Sequence, residues 1–257
     1  MKITQIRNAT QILEYAGKKI LIDPMLADKD AYEGFQGTVH SEIRIPTVSL
    51  PLSMEIILDV DAIFITHTHP DHWDSAAVEK IPKETLIFVQ NKADEEVLRS
   101  QDFTNLKIFT EIGEYEGIKI TPTKCQHGYD ILYSKFGDLL GEVHGIIFEH
   151  PGEPKIYFAS DTIWIPAVEE IMKKEKPDVV VLNCGWAHFL GFGPIIMGKE
   201  DIIKTHITLP EAKIVATHLE AVNHTLVTRD ELKKYAIDNK IDEFVFVPAD
   251  GETITLV

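Results

Sequence analysis

The chain has 257 residues, 44% of them apolar and 26% charged, enough to bury a substantial core as one large domain or two fused halves. Forty-one acidic residues against 25 basic ones leave a net charge of −16, which argues against a general nucleic-acid binder, because displacing counterions from phosphate needs a basic surface. No apolar run approaches the ~20 residues needed to cross a bilayer, the opening Met1-Lys-Ile-Thr-Gln lacks the apolar core of an export signal, and the two cysteines, Cys125 and Cys184, form no CxxC pair, so a reduced, cytoplasmic protein acting away from membranes is expected.

In chain order, Lys2 to Arg7, Thr10 to Tyr15 and Lys18 to Ile22 alternate apolar and polar residues and predict a β-meander, the last two runs turning at Ala16-Gly17. Residues 25–52 show no clear period, and a loop of that length in a compact enzyme is usually functional. Ala62 to Thr66 reads as a buried strand and runs directly into His67-Thr-His69-Pro-Asp71-His72. Beyond it, Asp74 to Lys80 predicts a short helix, Thr85 to Gln90 a strand, and Asn91 caps a helix reaching about Gln101, with acidic residues near its start and Arg99 near its end. Gly117 to Cys125 is a strand leading to His127. Gly145 to His150 and Lys155 to Ser160 flank the turn Pro151-Gly-Glu-Pro154. A helix from about Pro166 to Lys176 precedes the buried strand Asp178 to Asn183, and Lys213 to Thr217 is a further strand. Thr228 with Glu231 forms a capping box that opens a helix to Asn239, and Phe244 to Val247 and Thr253 to Leu256 close the chain as strands.

The cluster at 67–72 carries the chemistry. Three imidazoles and a carboxylate within six residues compete with one another unless a cation gathers them. Imidazole suits zinc, iron and other transition metals, while carboxylate oxygens suit manganese and zinc. Other strands also end in a candidate ligand: 117–125 in His127, 155–160 in Asp161 and 213–217 in His218. Each alone has a plainer explanation, since a lone His after a strand is commonly a surface residue and Asp161 could cap a helix. Ligands must approach an ion to within ~2.0–2.2 Å, and strand ends at one pole of a sheet are where such distant residues can meet.

The order His67-x-His69-x-Asp71-His72, His127, Asp161, His218 resembles the metallo-β-lactamase superfamily of metal-dependent hydrolases, over nearly the whole chain. The resemblance implies an α/β fold, an αββα sandwich of two mixed sheets between outer helices, as one domain over residues 1–257 with each half of the chain supplying one sheet. It also implies that His67, His69 and His127 bind one divalent ion, that Asp71, His72 and His218 bind a second, and that Asp161 bridges them, with zinc the leading metal and manganese or iron the alternatives. Leu21-Ile22-Asp23-Pro24 and the later spacing look most like the branch containing L-ascorbate-6-phosphate lactonase. One departure is Ser160, where the family commonly has Gly before the bridging Asp.

Two ions ~3.5–4 Å apart can hold a hydroxide at neutral pH, which would attack a carbonyl carbon or a phosphorus. Asp71 is then expected both to ligate and to orient water. Asp23 or Asp74 could accept the distal N–H of a ligand imidazole, although Asp23 could equally just cap its turn. Six histidines remain. Of these, His224 is the candidate proton donor, substrate contact or alternative to His218 as ligand, His218 being favoured because it directly follows its strand; His188 is placed near the same pole, His150 is assigned to solvent, and His40 to solvent rather than the cleft. Trp73, Trp164 and Tyr129 are candidates for the pocket wall, with core packing the alternative. The expected substrate is a small-molecule ester, lactone or phosphoester. A phosphodiesterase acting on a nucleotide-like or phospholipid-like molecule and a non-catalytic metal sensor on the same fold are the alternatives, and a homo-oligomer is compatible with the sequence.

Overall fold

The opening meander forms with the expected bounds, as strands Lys2–Arg7, Thr10–Tyr15 and Lys18–Ile22, in a computed structural model that describes residues 1–256. The third strand pairs in parallel with Ala62–Ile65, which continues in parallel to Ile87–Val89 and Leu106–Ile108. On the other side, Thr253–Thr255 adds antiparallel to Lys2–Arg7, completing a seven-stranded mixed sheet. A second seven-stranded sheet runs Val245–Phe246, Lys213–Thr217, Val179–Asn183, Ile156–Phe158, His144–Glu149, Ile118–Lys124, Glu114–Tyr115, the first four parallel and the rest antiparallel. The division between halves is therefore not complete, because the last strand returns to the N-terminal sheet, where Gln5 anchors residues 251 and 252 by backbone hydrogen bonds.

Period-two alternation explains the layering. In Ala62–Ile65, Phe64 points into the space between the sheets, where it stacks on Phe88 at 4.2 Å and meets Phe148 edge-on at 5.0 Å, while Ile63 and Ile65 point out under the helices Ser75–Lys80 and Lys92–Ser100. A strand buried on both faces has to be apolar throughout, as this one is. On the outer face of the second sheet, Val180, Leu182, Ile214 and Ala216 pack under Pro166–Glu175, Lys199–Thr208 and Arg229–Asp238. The result is the four-layer αββα sandwich.

The capping signals act as their chemistry predicts: Asn91 accepts from the Asp94 amide and Thr228 from the Glu231 amide. Several elements have no counterpart in the sequence reading: the short helix Met54–Ile57, the small strands at 106–108 and 114–115, the helix Lys199–Thr208, the hairpin His188–Phe189/Gly193–Pro194, and the helix Asp130–Leu140. The last is interrupted by non-helical backbone at Phe136, next to Gly137, which breaks its apolar period. No helix among the described residues is long and apolar enough to cross a membrane.

Candidate metal centre

All seven candidate ligands come together where the strands end. Oδ2 of Asp161 sits among four imidazoles, 3.2 Å from Nε2 of His72, 3.7 Å from that of His218, and 3.8 Å from those of His67 and His127. Oδ2 of Asp71 lies 3.1 Å from His218 Nε2 and 3.9 Å from His72 Nε2. Donor atoms of His67, His69 and His127 form one compact group, those of Asp71, His72 and His218 a second, and His67, His72 and Asp161 a third that joins them.

The far side of four of the five rings is held by an oxygen, while Nδ1 of His218 is buried without a partner. Asp23 accepts from the Thr66 amide at 2.7 Å, from the Thr66 hydroxyl at 2.8 Å and from His72 Nδ1 at 2.9 Å. With its proton committed to Asp23, the Thr66 hydroxyl accepts from His67 Nδ1 at 3.1 Å. His127 Nδ1 donates to the Ile195 carbonyl, and Nε2 of His69 to the Leu139 carbonyl at 3.1 Å. These bonds fix the tautomers: the inward nitrogens, Nε2 of His67, His72 and His127 and Nδ1 of His69, present lone pairs. Asn183 donates to Oδ1 of Asp161 at 2.6 Å, leaving Oδ2 free for the centre. Asp74, the other candidate partner of an imidazole, instead caps its helix and accepts from the Ala27 amide.

A divalent cation fits this donor set. Nε2 of His67, His72 and His218 is buried without a hydrogen bond of acceptable geometry despite the nearby carboxylates, and each belongs to one or two of the overlapping donor groups that could take a cation. Burial, followed by the neighbouring imidazoles, holds His67 well below its ordinary value. Burial pushes His127 down to about 4 and keeps it neutral, the state that ligation requires. His72 goes the other way: burial opposes its charge, but Asp161, Asp23 and Asp71 together raise it well above the ordinary value. The carboxylates therefore demand a positive charge here, and a proton supplies it when nothing larger does.

Local backbone explains two of the positions. Ser160 and His218, which follow the strands Ile156–Phe158 and Lys213–Thr217, both adopt left-handed conformations, with φ of 58° and 59°. The chain must turn sharply there to aim Asp161 and His218 inward, and this explains why glycine suits the position before Asp161. The Ser160 hydroxyl is buried without a partner. Asn8, also left-handed, accepts from the His218 amide and donates to the Asp71 carbonyl, tying the first turn to both parts of the site.

A cleft of about 380 Å³ opens onto the centre. Its polar floor includes His69, Asp71, His127 and Asp161, joined by His224, whose Nδ1 is buried without a partner and which burial pushes down to about 4. Its walls are apolar: Phe35, Leu139, Leu140, Phe189 and Ile195. Leu139 and Leu140 belong to the interrupted helix that the sequence left unassigned, and no spacing in the sequence marks Phe35 or Phe189 as lining residues. The aromatic candidates lie elsewhere. Trp73 is buried against Phe103 and donates to Gln101, Trp164 packs beneath the outer helices, and Tyr129 borders Gly193. His188 does not line the cleft; its amide donates to the His224 carbonyl and its ring meets Trp186.

The sequence model of the beta-lactamase superfamily domain matches residues 18–219. The chain belongs to the metallo-β-lactamase superfamily. It is 43% identical over 256 residues to the UPF0173 protein YddR of Bacillus subtilis, covering 99% of this chain and 100% of the relative. Among solved structures, an isothiocyanate hydrolase from Delia radicum gut bacteria superposes with a TM-score of 0.97 at 47% identity, covering 100% of this chain and 99% of that one. A possible metal-dependent hydrolase from Veillonella parvula does so with a TM-score of 0.97 at 45% identity and the same coverage. This superfamily member is a metal-dependent hydrolase, and the His/Asp cluster is its candidate site for divalent metal.

Proposed function

We propose that the site holds two divalent ions, one on His67, His69 and His127 and one on Asp71, His72 and His218, with Asp161 between them, and that it hydrolyses a small, uncharged electrophile such as an isothiocyanate. Zinc suits the mixed imidazole and carboxylate set, with manganese and iron the alternatives. Bound there, such ions would activate water and polarise the electrophile. The protein's own part is to orient and to exclude. Asn183 fixes the rotation of Asp161, and Asp23 fixes the ring of His72. The neutral His224 imidazole offers a hydrogen bond to the substrate's heteroatom, and the apolar walls keep bulk water from the reacting carbon. For an isothiocyanate the balance is R–N=C=S plus water giving R–NH2 plus carbonyl sulfide, with oxygen adding to the central carbon and the nitrogen taking up both protons. The two free thiols suit a reduced, cytoplasmic setting.

The observation that carries the substrate class is the composition of the cleft. None of the residues lining it is Lys or Arg. A phosphoester would find positive charge only at the ions themselves, with no cationic side chain in the walls to hold the rest of an anionic substrate. A neutral electrophile with an apolar tail meets a metal-facing floor and hydrocarbon walls. The 47% identical isothiocyanate hydrolase, matched along its whole length, points the same way.

The test is to load the protein with zinc or manganese, measure bound metal, and follow loss of n-butyl isothiocyanate and release of amine. Chelator-sensitive hydrolysis with about two ions per chain is the expected result. Inertness towards isothiocyanates, combined with turnover of a lactone or of a chromogenic phosphodiester, would overturn the substrate class. No bound transition metal would overturn the centre itself.

A further inference from the structure

Part of the cleft wall comes from two segments that hold each other. Thr38 and Phe189 form an isolated antiparallel bridge, and the Leu190 amide donates to the Gly37 carbonyl at 2.9 Å. Asn223, buried beside His224, grips the first segment. Its Oδ1 accepts from the Phe35 amide at 2.9 Å, and its Nδ2 donates to the Thr38 hydroxyl at 2.9 Å and to the Val39 carbonyl at 2.8 Å. Within this clasp the Phe189 ring faces the cleft on one side and packs on Phe136 and Phe192, at centroid separations of 5.0 and 5.8 Å. It also lies so close to Gly37 that a Cβ there would sit 3.1 Å from its Cζ. Gly37 has φ of 79°, so the position excludes a side chain for a conformational reason as well as a spatial one.

We propose that Phe189 is a specificity-determining residue that stops the substrate's apolar tail, and that Gly37 is glycine because the ring needs that space. This rests on the cleft being the hydrolytic site, and it goes beyond that reading by assigning the tail limit to one ring. Phe189 is held by Phe136, by Phe192 and by its close approach to Gly37, none of which lines the cleft. Three of the other apolar lining residues also meet the site's polar groups: Phe35 is tied to Asn223 and His224, the Leu139 carbonyl meets His69, and the Ile195 carbonyl meets His127.

The experiment uses the metal-loaded protein and straight-chain alkyl hydroxamic acids from acetyl to decanoyl, with binding measured by calorimetry so that turnover is not required. In the wild type, affinity should rise about fourfold per methylene, the value expected for burial of a CH2 group, and then stop rising at a particular length. Phe189→Ala should move that stop at least two methylenes further, giving more than about tenfold tighter binding of the longer acids relative to the short ones. Phe189→Leu, which keeps an apolar wall, should move it by less, and both variants should match the wild type in bound metal. A wild-type series with no stop, or a stop unmoved in Phe189→Ala, would overturn the proposal. Hydroxamate binding that follows this pattern without any isothiocyanate hydrolysis would leave the tail limit standing and remove the substrate. Absence of both metal and hydroxamate binding would overturn both.

Discussion

The metal cradle and the cleft wall are built on opposite principles. In the cradle, every ligand follows or adjoins the end of a strand, is oriented by a hydrogen bond to a second residue, or is forced inward by a left-handed turn. In the wall, segments tied to one another through backbone and Asn223 hydrogen bonds, together with an interrupted helix, present apolar side chains that no hydrogen bond orients. The first arrangement fixes what chemistry is available, since charge and tautomer leave few alternatives. The second fixes what is admitted, and apolar packing tolerates exchange of side chains far more readily. On one scaffold, exchange of such wall residues can change what is admitted without rebuilding the floor.

If the cradle acts as a unit, its largest failure should come from Asp161. Replacing it with alanine removes the oxygen shared by four imidazoles, and the expected result is loss of most bound metal and a fall in kcat/KM of about 1,000-fold or more, the scale of a Lewis-acid contribution of several kcal/mol. Elemental analysis beside steady-state kinetics checks this. An Asp161→Ala protein with full metal and near-normal turnover would show that the cluster is not the catalytic centre.

One layer out, Asp23→Asn keeps an acceptor for the Thr66 amide but takes away the carboxylate that receives His72 Nδ1. Outer partners of this kind are worth about 10–100-fold in metal affinity, so competition with a chromophoric chelator should show a loss in that range and little change in fold. A variant that binds metal as tightly as the wild type would reduce Asp23 to the cap of its turn.

His224 stands at the boundary between the two regions and can be read through proton linkage. Burial holds it at about 4 in the folded protein against an ordinary 6.5, so between those values the unfolded chain binds more protons and stability falls as pH falls. In metal-free protein, His224→Gln should remove up to about 3 kcal/mol of this loss on going from pH 7 to pH 4, leaving stability at pH 7 less affected. Denaturant melts of the two proteins across that range give the difference directly. An identical pH slope in both would mean that His224 is not held neutral by the fold.

How far the site could be read from the sequence follows the same line. The cluster is legible because its candidate ligands are chemically conspicuous and lie just beyond strands whose period is strong, as in Ala62–Ile65 before His67 and Lys213–Thr217 before His218. Asp23 could be named as a partner but not chosen over Asp74, since only the fold shows that Asp74 is occupied with its own helix. The wall is legible only in part: the unpatterned segment 25–52, expected to be functional, does supply Phe35, but no pattern singles out the lining side chains themselves. Leu139 and Leu140 lie in a helix broken at Phe136, Phe189 lies in a strand of two residues, and side chains of these types look like ordinary core. The return of Thr253–Thr255 to the first sheet was hidden for a related reason, because an alternating strand does not state which edge it will join.

The smallest effect sharpens the cradle from within. Ser160 holds φ of 58°, which costs a residue with a Cβ about 1–2 kcal/mol, and its buried hydroxyl has no partner. Glycine would relieve both but gives back about 0.5–1 kcal/mol of extra freedom in the unfolded chain. Ser160→Gly should therefore stabilise metal-free protein by about 1 kcal/mol, a rise in melting temperature of about 2–4 °C for a chain of this size, with bound metal unchanged. Lower stability of the metal-free variant would overturn the strain at Ser160. If the variant instead loses metal, the serine hydroxyl has a partner in the loaded site that offsets the backbone cost. The departure from glycine would then belong to the chemistry of this centre and not simply to a tolerated strain.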